Sequence, residues 1–191
     1  MKNDLFSIGP FTVHGYGLMI AIGVLSAYYM VEYRAKKKQM DWEKVFPLTV
    51  WSVLGGFLGS KILYLLTRLP DILANPALLG SSIKDGFVVY GGIIGGILTA
   101  WIYCKCTKWN FWKIFDIAMP AVAMAQGFGR IGCLLAGCCY GIELDPANPI
   151  GIVFHNSAYA PNDVALLPTQ IISSVLDFAN CFVLLALSKK L

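Results

Sequence analysis

Five long runs of apolar residues constrain the fold of this chain more than any of its motifs does. A transmembrane helix needs roughly 20 such residues to cross about 30 Å of hydrocarbon. Hydrophobic residues make up 57% of the chain and charged residues 14%, which is more apolar surface than one soluble core of this size buries. The alternation typical of a membrane barrel is absent, so the sequence predicts an all-α integral membrane helical bundle. The expected transmembrane helices cover Phe11–Val31, Phe46–Leu66, Phe87–Tyr103, Phe111–Leu135 and Leu167–Leu187.

Lysine and arginine residues are concentrated on alternate connections between these spans. Ten of them follow the first, third and fifth spans, and three lie on the opposite side, at Lys2, Arg68 and Lys84. Cytoplasmic loops of membrane proteins carry an excess of basic residues, which predicts an N-terminus outside and a cytoplasmic C-terminus. The net charge of +4 is then explained by topology and anionic lipid headgroups, and no nucleic-acid partner is expected.

Glycine pairs in the second and third spans have the spacing that lets two helices approach closely. In GGFLGS, Gly55 and Gly59 are four residues apart, and GGIIGG repeats that spacing at Gly91 and Gly95. Small residues at this interval are typical of helix-to-helix contacts in membranes. The segments are therefore predicted to pack, and the same missing side chains leave room for a lipid as a second interpretation.

Four ionisable residues fall within or at the edge of the predicted spans, at Lys61, Asp116, Arg130 and Asp177. Charged groups in hydrocarbon are costly, so they pair or line a polar cavity. Asp177 is predicted to neutralise Lys61 or Arg130, and Asp116 to be interfacial. Glycines surround Arg130, and its guanidinium presents a fork of donors suited to phosphate. The sequence therefore indicates a phospholipid-headgroup site at Arg130.

The six cysteines divide into two groups. Cys104, Cys106 and Cys181 are interpreted as small packing residues. Cys133, Cys138 and Cys139 are close enough in sequence to meet across helical turns, which leaves a thiol cluster or a disulfide open. The chain has two histidines and no CxxC motif, so the pattern does not favour a closed zinc site.

Five further segments, between Phe6 and Gln170, read FSIGPFTVHGYGLM, GGFLGSK, DGFVVYGGIIGG, GRIGCLLAGCCYG and LPTQ. In the same order, they resemble motifs of the prolipoprotein diacylglyceryl transferase family, whose members are bacterial inner-membrane enzymes that attach diacylglycerol to lipoprotein precursors. The resemblance implies a single multi-pass transmembrane domain over residues 1–191 in the bacterial plasma membrane. It also implies that the chain lacks the family's last helices.

The implied reaction moves the diacylglyceryl group of phosphatidylglycerol to the lipobox cysteine of a prolipoprotein signal peptide and releases glycerol phosphate. The acceptor must become a thiolate, and the departing phosphate needs cationic hydrogen-bond donors. The resemblance assigns catalytic roles to Arg130, Tyr90 and Tyr16. It assigns headgroup binding to Arg130, Lys61, Gly129, Gly132, His14 and Gln170. No cofactor and no metal are implied.

Four residues depart from the family pattern. Tyr90 replaces the histidine before a glycine pair, which is the obvious candidate for proton transfer near neutral pH. Cys133 replaces an asparagine, Cys138 a glutamate and Leu167 a histidine. These departures leave open a second hypothesis, a divergent relative that binds phospholipid or accepts lipid on its own cysteines. A transporter with a discontinuous helix at Pro120 is a third.

Overall fold

The computed structural model describes residues 4–8, 11–75, 80 and 86–188, with side chains described from residue 14 onward. Five of its helices are long and apolar enough to cross a membrane, which confirms the predicted multi-pass helical protein. In chain order the elements are β1 (Asp4–Ile8), β2 (Phe11–His14), α1 (Gly15–Lys37), a 3-10 turn (Trp42–Lys44), α2 (Val45–Thr67), α3 (Leu69–Ala74), α4 (Val89–Cys106), α5 (Phe111–Ala136), β3 (Ile152–Val153), β4 (Ala165–Leu166) and α6 (Thr169–Leu187).

Two small antiparallel sheets accompany the helices. The first predicted span was expected to begin at Phe11, but Phe11–His14 pairs with Asp4–Ile8 and α1 begins at Gly15. The second sheet joins β3 to β4 through two residue pairs. Both sheets satisfy backbone groups of segments that lie outside the spanning helices.

The chain divides into two compact units, one formed by residues 1–34 with 116–191 and the other by residues 35–115. In the second unit, α2 and α4 touch through the predicted glycine pairs. A Cβ added at Gly59 would lie 2.9 Å from Cα of Gly95, and one at Gly91 would lie 2.6 Å from Cβ of Leu63. Real Cβ atoms do not come this close to backbone, so the backbones themselves are in contact. The packing interpretation of these glycines is confirmed.

Basic and aromatic residues gather where α2 begins and α4 ends. The Tyr103 hydroxyl donates to the carbonyl oxygen of Lys44 at 3.2 Å, and Lys44 Nζ lies 5.9 Å from the ring centroid of Trp109. Cys104 is 1% exposed and packs with Leu48, as predicted for a small packing residue. The two basic connections of this unit therefore lie at the same end. Among the charges that predicted the orientation, Lys2, Lys84, Lys189 and Lys190 lie outside the described residues.

In the first unit, α5 runs unbroken through Pro120, so a discontinuous helix at this position is not present. Proline has no N–H, and the carbonyl oxygen four residues earlier, that of Asp116, loses its helical donor. The Arg34 guanidinium supplies a replacement, because it donates to the Asp116 oxygen at 3.4 Å and to the Ile117 oxygen at 2.7 Å. Arg34 is one of the ten basic residues that the sequence placed after the first, third and fifth spans, but it belongs to α1 and is 8% exposed.

Replacing Arg34 by glutamine is expected to lower the free energy of unfolding by about 2 kcal/mol, since hydrogen bonds from a charged donor are worth about 1.5 to 3 kcal/mol. Thermal unfolding in detergent measures the effect. Arg68→Gln is the matched control, because Arg68 forms an exposed ion pair with Asp71 at 2.9 Å. Equal melting temperatures for the two variants would contradict the capping role of Arg34.

The connection between α5 and α6 has its own small core. Phe154, Ala160 and Leu166 are buried together around the β3–β4 sheet. On the surface of the same connection, Nδ1 of His155 lies 2.6 Å from Oδ1 of Asp163. This connection is therefore ordered by packing, and it fixes the distance between the end of α5 and the start of α6.

Candidate functional site

Two glycines of α5 allow neighbouring helices to pack around the predicted headgroup site. A Cβ added at Gly127 would meet the ring of Phe178 of α6 at 3.0 Å. One added at Gly132 would meet Cδ2 of Tyr16 of α1 at 3.1 Å. Both distances are shorter than ordinary carbon contacts, so α6 and α1 approach α5 closely on either side of Arg130.

Arg130 is the cation of the predicted headgroup site. It makes no hydrogen bond or ion pair within the described part of the chain, and a Cβ on the preceding Gly129 would meet no described atom within 4 Å. The guanidinium is attracted electrostatically to the carboxylate of Asp177 on α6. This attraction is one of the two interactions predicted for Asp177. The arginine thus retains free donors beside open space.

Three thiols meet where α5 ends. Gly137 takes the left-handed conformation (φ +74°), its N–H donates to the Leu134 oxygen at 3.2 Å, and the Cys138 N–H donates to the Cys133 oxygen at 3.0 Å. These two bonds form a Schellman motif, which folds the residue after the glycine back onto the helix. The Sγ atoms of Cys133, Cys138 and Cys139 consequently lie within 4.8 Å of one another, all as free thiols. Burial raises the pKa of the Cys138 thiol.

The first residues of α6 hold this Cys–Cys turn in place. Thr169 Oγ1 donates to the carbonyl oxygen of Cys139 at 2.7 Å, and Gln170 Nε2 donates to that of Cys138 at 2.8 Å. Gln170 is 1% exposed, yet its Oε1 has no hydrogen-bond partner among the described residues. A buried acceptor of this kind is costly unless water or a ligand supplies a donor. Gln170 Oε1 is therefore available to accept a hydrogen bond from a water molecule or a ligand.

The start of α1 contributes Tyr16 to the same unit. Tyr16 packs against Gly132 and is 42% exposed. His14 is the last residue of β2 and its side chain is exposed. The tyrosine therefore faces the segment that follows Arg130, as a residue of the headgroup site would.

Lys61 and Tyr90 belong to the other unit. Lys61 Nζ donates to the carbonyl oxygen of Gly86 at 3.1 Å and lies 4.6 Å from the ring centroid of Phe87. Ser60, next to it, donates to the Val88 oxygen at 2.9 Å. Tyr90 stands in the first turn of α4 with 74% of its surface exposed. Hydrogen bonds from α2 thus hold the segment Gly86–Val88, which precedes Tyr90.

The predicted site residues are distributed over both units. Residues 1–34 with 116–191 contain His14, Tyr16, Gly129, Arg130, Gly132 and Gln170, and residues 35–115 contain Lys61 and Tyr90. The sequence reasoning missed Ser174, whose Oγ donates to the Gly127 oxygen at 3.0 Å, and Thr169 as an anchor of the turn. The spacing of Gln170, Ser174 and Asp177 could have revealed a polar stripe, because these positions share one face of a helix.

Comparisons with known proteins agree with these motifs. A family model described as prolipoprotein diacylglyceryl transferase matches residues 3–190. A Clostridium tetani protein named phosphatidylglycerol–prolipoprotein diacylglyceryl transferase is 44% identical over 191 residues, which is 100% of this chain and 75% of the relative. A Clostridium perfringens protein named phosphatidylglycerol–prolipoprotein diacylglyceryl transferase 2 is 42% identical over 94% of this chain and 69% of its own length. A Dehalococcoides mccartyi protein, also named phosphatidylglycerol–prolipoprotein diacylglyceryl transferase, is 32% identical over 86% of this chain and 63% of its own length.

Proposed function

Because the chain belongs to the prolipoprotein diacylglyceryl transferase family, we propose that it transfers the diacylglyceryl group of phosphatidylglycerol to the lipobox cysteine of a prolipoprotein signal peptide. The thiolate sulfur attacks the carbon of the diacylglycerol unit that is esterified to the phosphate. A carbon–sulfur bond forms as the carbon–oxygen bond breaks, and the electron pair leaves with the phosphate oxygen. The products are a thioether and glycerol phosphate, and the proton of the thiol passes to a base.

The observation that carries this proposal is the Arg130 guanidinium, which has no hydrogen bond or ion pair among the described residues and lies beside the open space at Gly129. Charge accumulates on the phosphate oxygens as the carbon–oxygen bond breaks, and a planar fork of donors matches two of them. Asp177 attracts the arginine electrostatically and forms no ion pair with it among the described residues, so the donors of Arg130 stay available. Arg130 is therefore assigned to the departing phosphate.

Gln170 is assigned to the glycerol headgroup. Its Nε2 is already used on the Cys138 oxygen, whereas its buried Oε1 has no described partner. A hydroxyl of phosphatidylglycerol supplies the donor that this oxygen lacks. The missing side chain of Gly129 gives the headgroup access to the backbone, whereas Gly132 is covered by Tyr16 and receives its headgroup role from the family resemblance. His14 and Lys61 receive headgroup roles from the family resemblance, Lys61 in place of an arginine.

Tyr90 and Tyr16 are the candidates for the base that accepts the thiol proton. Tyr90 stands where the family has a histidine, and its hydroxyl is on an exposed side chain at the start of α4. Tyr16 lies against Gly132, two residues beyond Arg130 along α5. Proton transfer by a positioned side chain contributes about 100- to 10,000-fold to a rate. Substitutions separate the two tyrosines.

We expect Tyr90→Phe to lower the transfer rate at least about tenfold and Tyr90→His to equal or exceed the parent at neutral pH, because imidazole is the better base there. Initial rates on a lipobox peptide in vesicles containing phosphatidylglycerol measure the effect. Tyr29→Phe is the matched control, since Tyr29 is 64% exposed on α1 and has no assigned role. A full rate for Tyr90→Phe together with a loss in Tyr16→Phe would move the base to Tyr16.

The proposed location is the bacterial plasma membrane, with the N-terminus outside and the C-terminus in the cytoplasm. The two basic connections at one end of residues 35–115 support a common cytoplasmic face, because Lys44 and Tyr103 meet there. Cysteine labelling with a membrane-impermeant reagent tests the orientation through Cys106, which is exposed next to Lys105. Labelling of Cys106 in intact cells would place this end outside.

The function is tested by expressing the chain in cells depleted of their own transferase. The expected result is a lipoprotein precursor that gains the mass of one diacylglyceryl group. Mass spectrometry is also applied to the cysteines of the chain itself, because a divergent relative that accepts lipid on its own cysteines would carry the lipid there. Lipid on Cys133, Cys138 or Cys139 with an unmodified precursor would contradict the proposed transfer and favour a divergent lipid-binding relative.

A further inference from the structure

We propose that Cys133, Cys138 and Cys139 form a three-thiolate binding site for a single thiophilic metal ion with a filled d shell, Zn²⁺ or Cu⁺. The inference rests on the arrangement of three sulfur atoms and is independent of the transferase activity. No histidine or carboxylate of the described residues completes the group, so the site has three protein ligands and an open position.

The sulfur atoms are already near the separation that a metal ion requires. A metal–sulfur bond of about 2.3 Å places sulfur ligands roughly 4 Å from one another. The three Sγ atoms all lie within 4.8 Å of one another, so rotation about the side-chain bonds brings them to coordinating distance. The Schellman motif at Gly137 makes this possible, because it folds Cys138 back over Cys133.

The backbone conformation of the turn positions Cys139, the third proposed ligand. Cys139 has a left-handed φ of 57°, which is uncommon for a residue with a side chain. The hydrogen bonds from Thr169 and Gln170 to the carbonyl oxygens of this dipeptide fix it there. A ligand set supported by such outer hydrogen bonds is preorganised for a metal ion.

Packing and a simple disulfide explain this cluster less well. The packing cysteines Cys104 and Cys181 are buried at 1% and 3% exposure, whereas Cys139 is exposed and its two neighbours are half-buried. A disulfide uses two sulfur atoms and leaves the third without a role.

The chemistry of the ligands selects the metal ion. Soft thiolate ligands select Zn²⁺ and Cu⁺ over hard cations. Each thiol loses its proton to solvent as its sulfur–metal bond forms.

The test uses the full chain purified in detergent, reduced and stripped of metal, and titrated in separate arms with Zn²⁺ and with Cu⁺ against a chromophoric chelator. We expect one ion per chain in at least one arm, and X-ray absorption is expected to show three sulfur ligands, at about 2.3 Å for zinc. Which arm saturates identifies the ion. No stoichiometric binding in either arm would overturn the proposal.

Single serine substitutions connect the bound ion to these residues. Cys133→Ser, Cys138→Ser and Cys139→Ser are each expected to weaken binding at least about 100-fold, because loss of a ligand exceeds the 10- to 100-fold cost of losing a supporting group. Cys106→Ser is the matched control, an exposed cysteine outside the cluster. If Cys133→Ser fails to fold, the exposed Cys139 still provides the test. Equal affinity in Cys139→Ser and Cys106→Ser, or a disulfide within the cluster in cells alkylated before lysis, would overturn the site.

Discussion

Arg130→Ala is expected to reduce lipoprotein modification at least about 100-fold, since removal of one preorganised donor to a developing negative charge costs about 100- to 1,000-fold in rate. The guanidinium has no hydrogen bond to lose within the described residues, so its removal costs the fold only the electrostatic attraction between Arg130 and Asp177. The loss should therefore appear in transfer and not in expression or melting temperature. The measurement is the fraction of precursor that gains diacylglycerol in transferase-depleted cells.

Two further substitutions show whether charge or geometry matters at this position. Arg130→Lys keeps the charge but loses the planar fork, and we expect it to retain about a tenth of the parent rate. Arg68→Ala removes an exposed arginine that pairs with Asp71, and we expect a full rate. Parent activity in Arg130→Ala would show that the phosphate is held elsewhere. A full rate in Arg130→Lys would assign the effect to charge alone.

The spanning helices could be predicted because hydropathy is a local property. All five runs are helices, and the later four begin within two residues of the predicted positions. The first begins four residues late, because Phe11–His14 pairs with a strand that the hydropathy of Phe11 could not reveal. Pairing depends on a partner, and short apolar runs do not distinguish a strand from a helix.

Contacts between residues that are distant in the chain could not be predicted from the sequence. Arg34 looked like one basic residue among several, yet it reaches carbonyl oxygens 82 and 83 residues away and replaces the donor that Pro120 lacks. The contact between the three thiols could not be predicted either, although these residues are close in sequence. Their spacing matches no CxxC motif, and they meet only because Gly137 ends α5 with a left-handed turn. Gly137 was visible in the sequence, but its conformation was not.

Gly91→Ala is expected to destabilise the chain by about 3 kcal/mol, at the upper end of what overpacking usually costs. The new Cβ would overlap the carbonyl oxygen of Gly59 and lie 2.6 Å from Cβ of Leu63. Neither neighbour can rotate away, since one is backbone and the other is the first atom of a side chain. The α2–α4 pair must therefore separate, and the close contact along its length is lost.

Gly96→Ala provides the matched control in the same helix. Its Cβ would lie 3.5 Å from the oxygen of Ser52 and 4.0 Å from Cα of Gly56, which are ordinary contacts. An alanine also favours the helix over glycine by up to about 1 kcal/mol in soluble hosts. We therefore expect Gly96→Ala to melt at or above the parent temperature in detergent, and Gly91→Ala well below it. Equal losses in both variants would mean that glycine is needed for backbone conformation throughout α4. Equal stability in both would mean that α2 and α4 do not touch at Gly59 and Gly91.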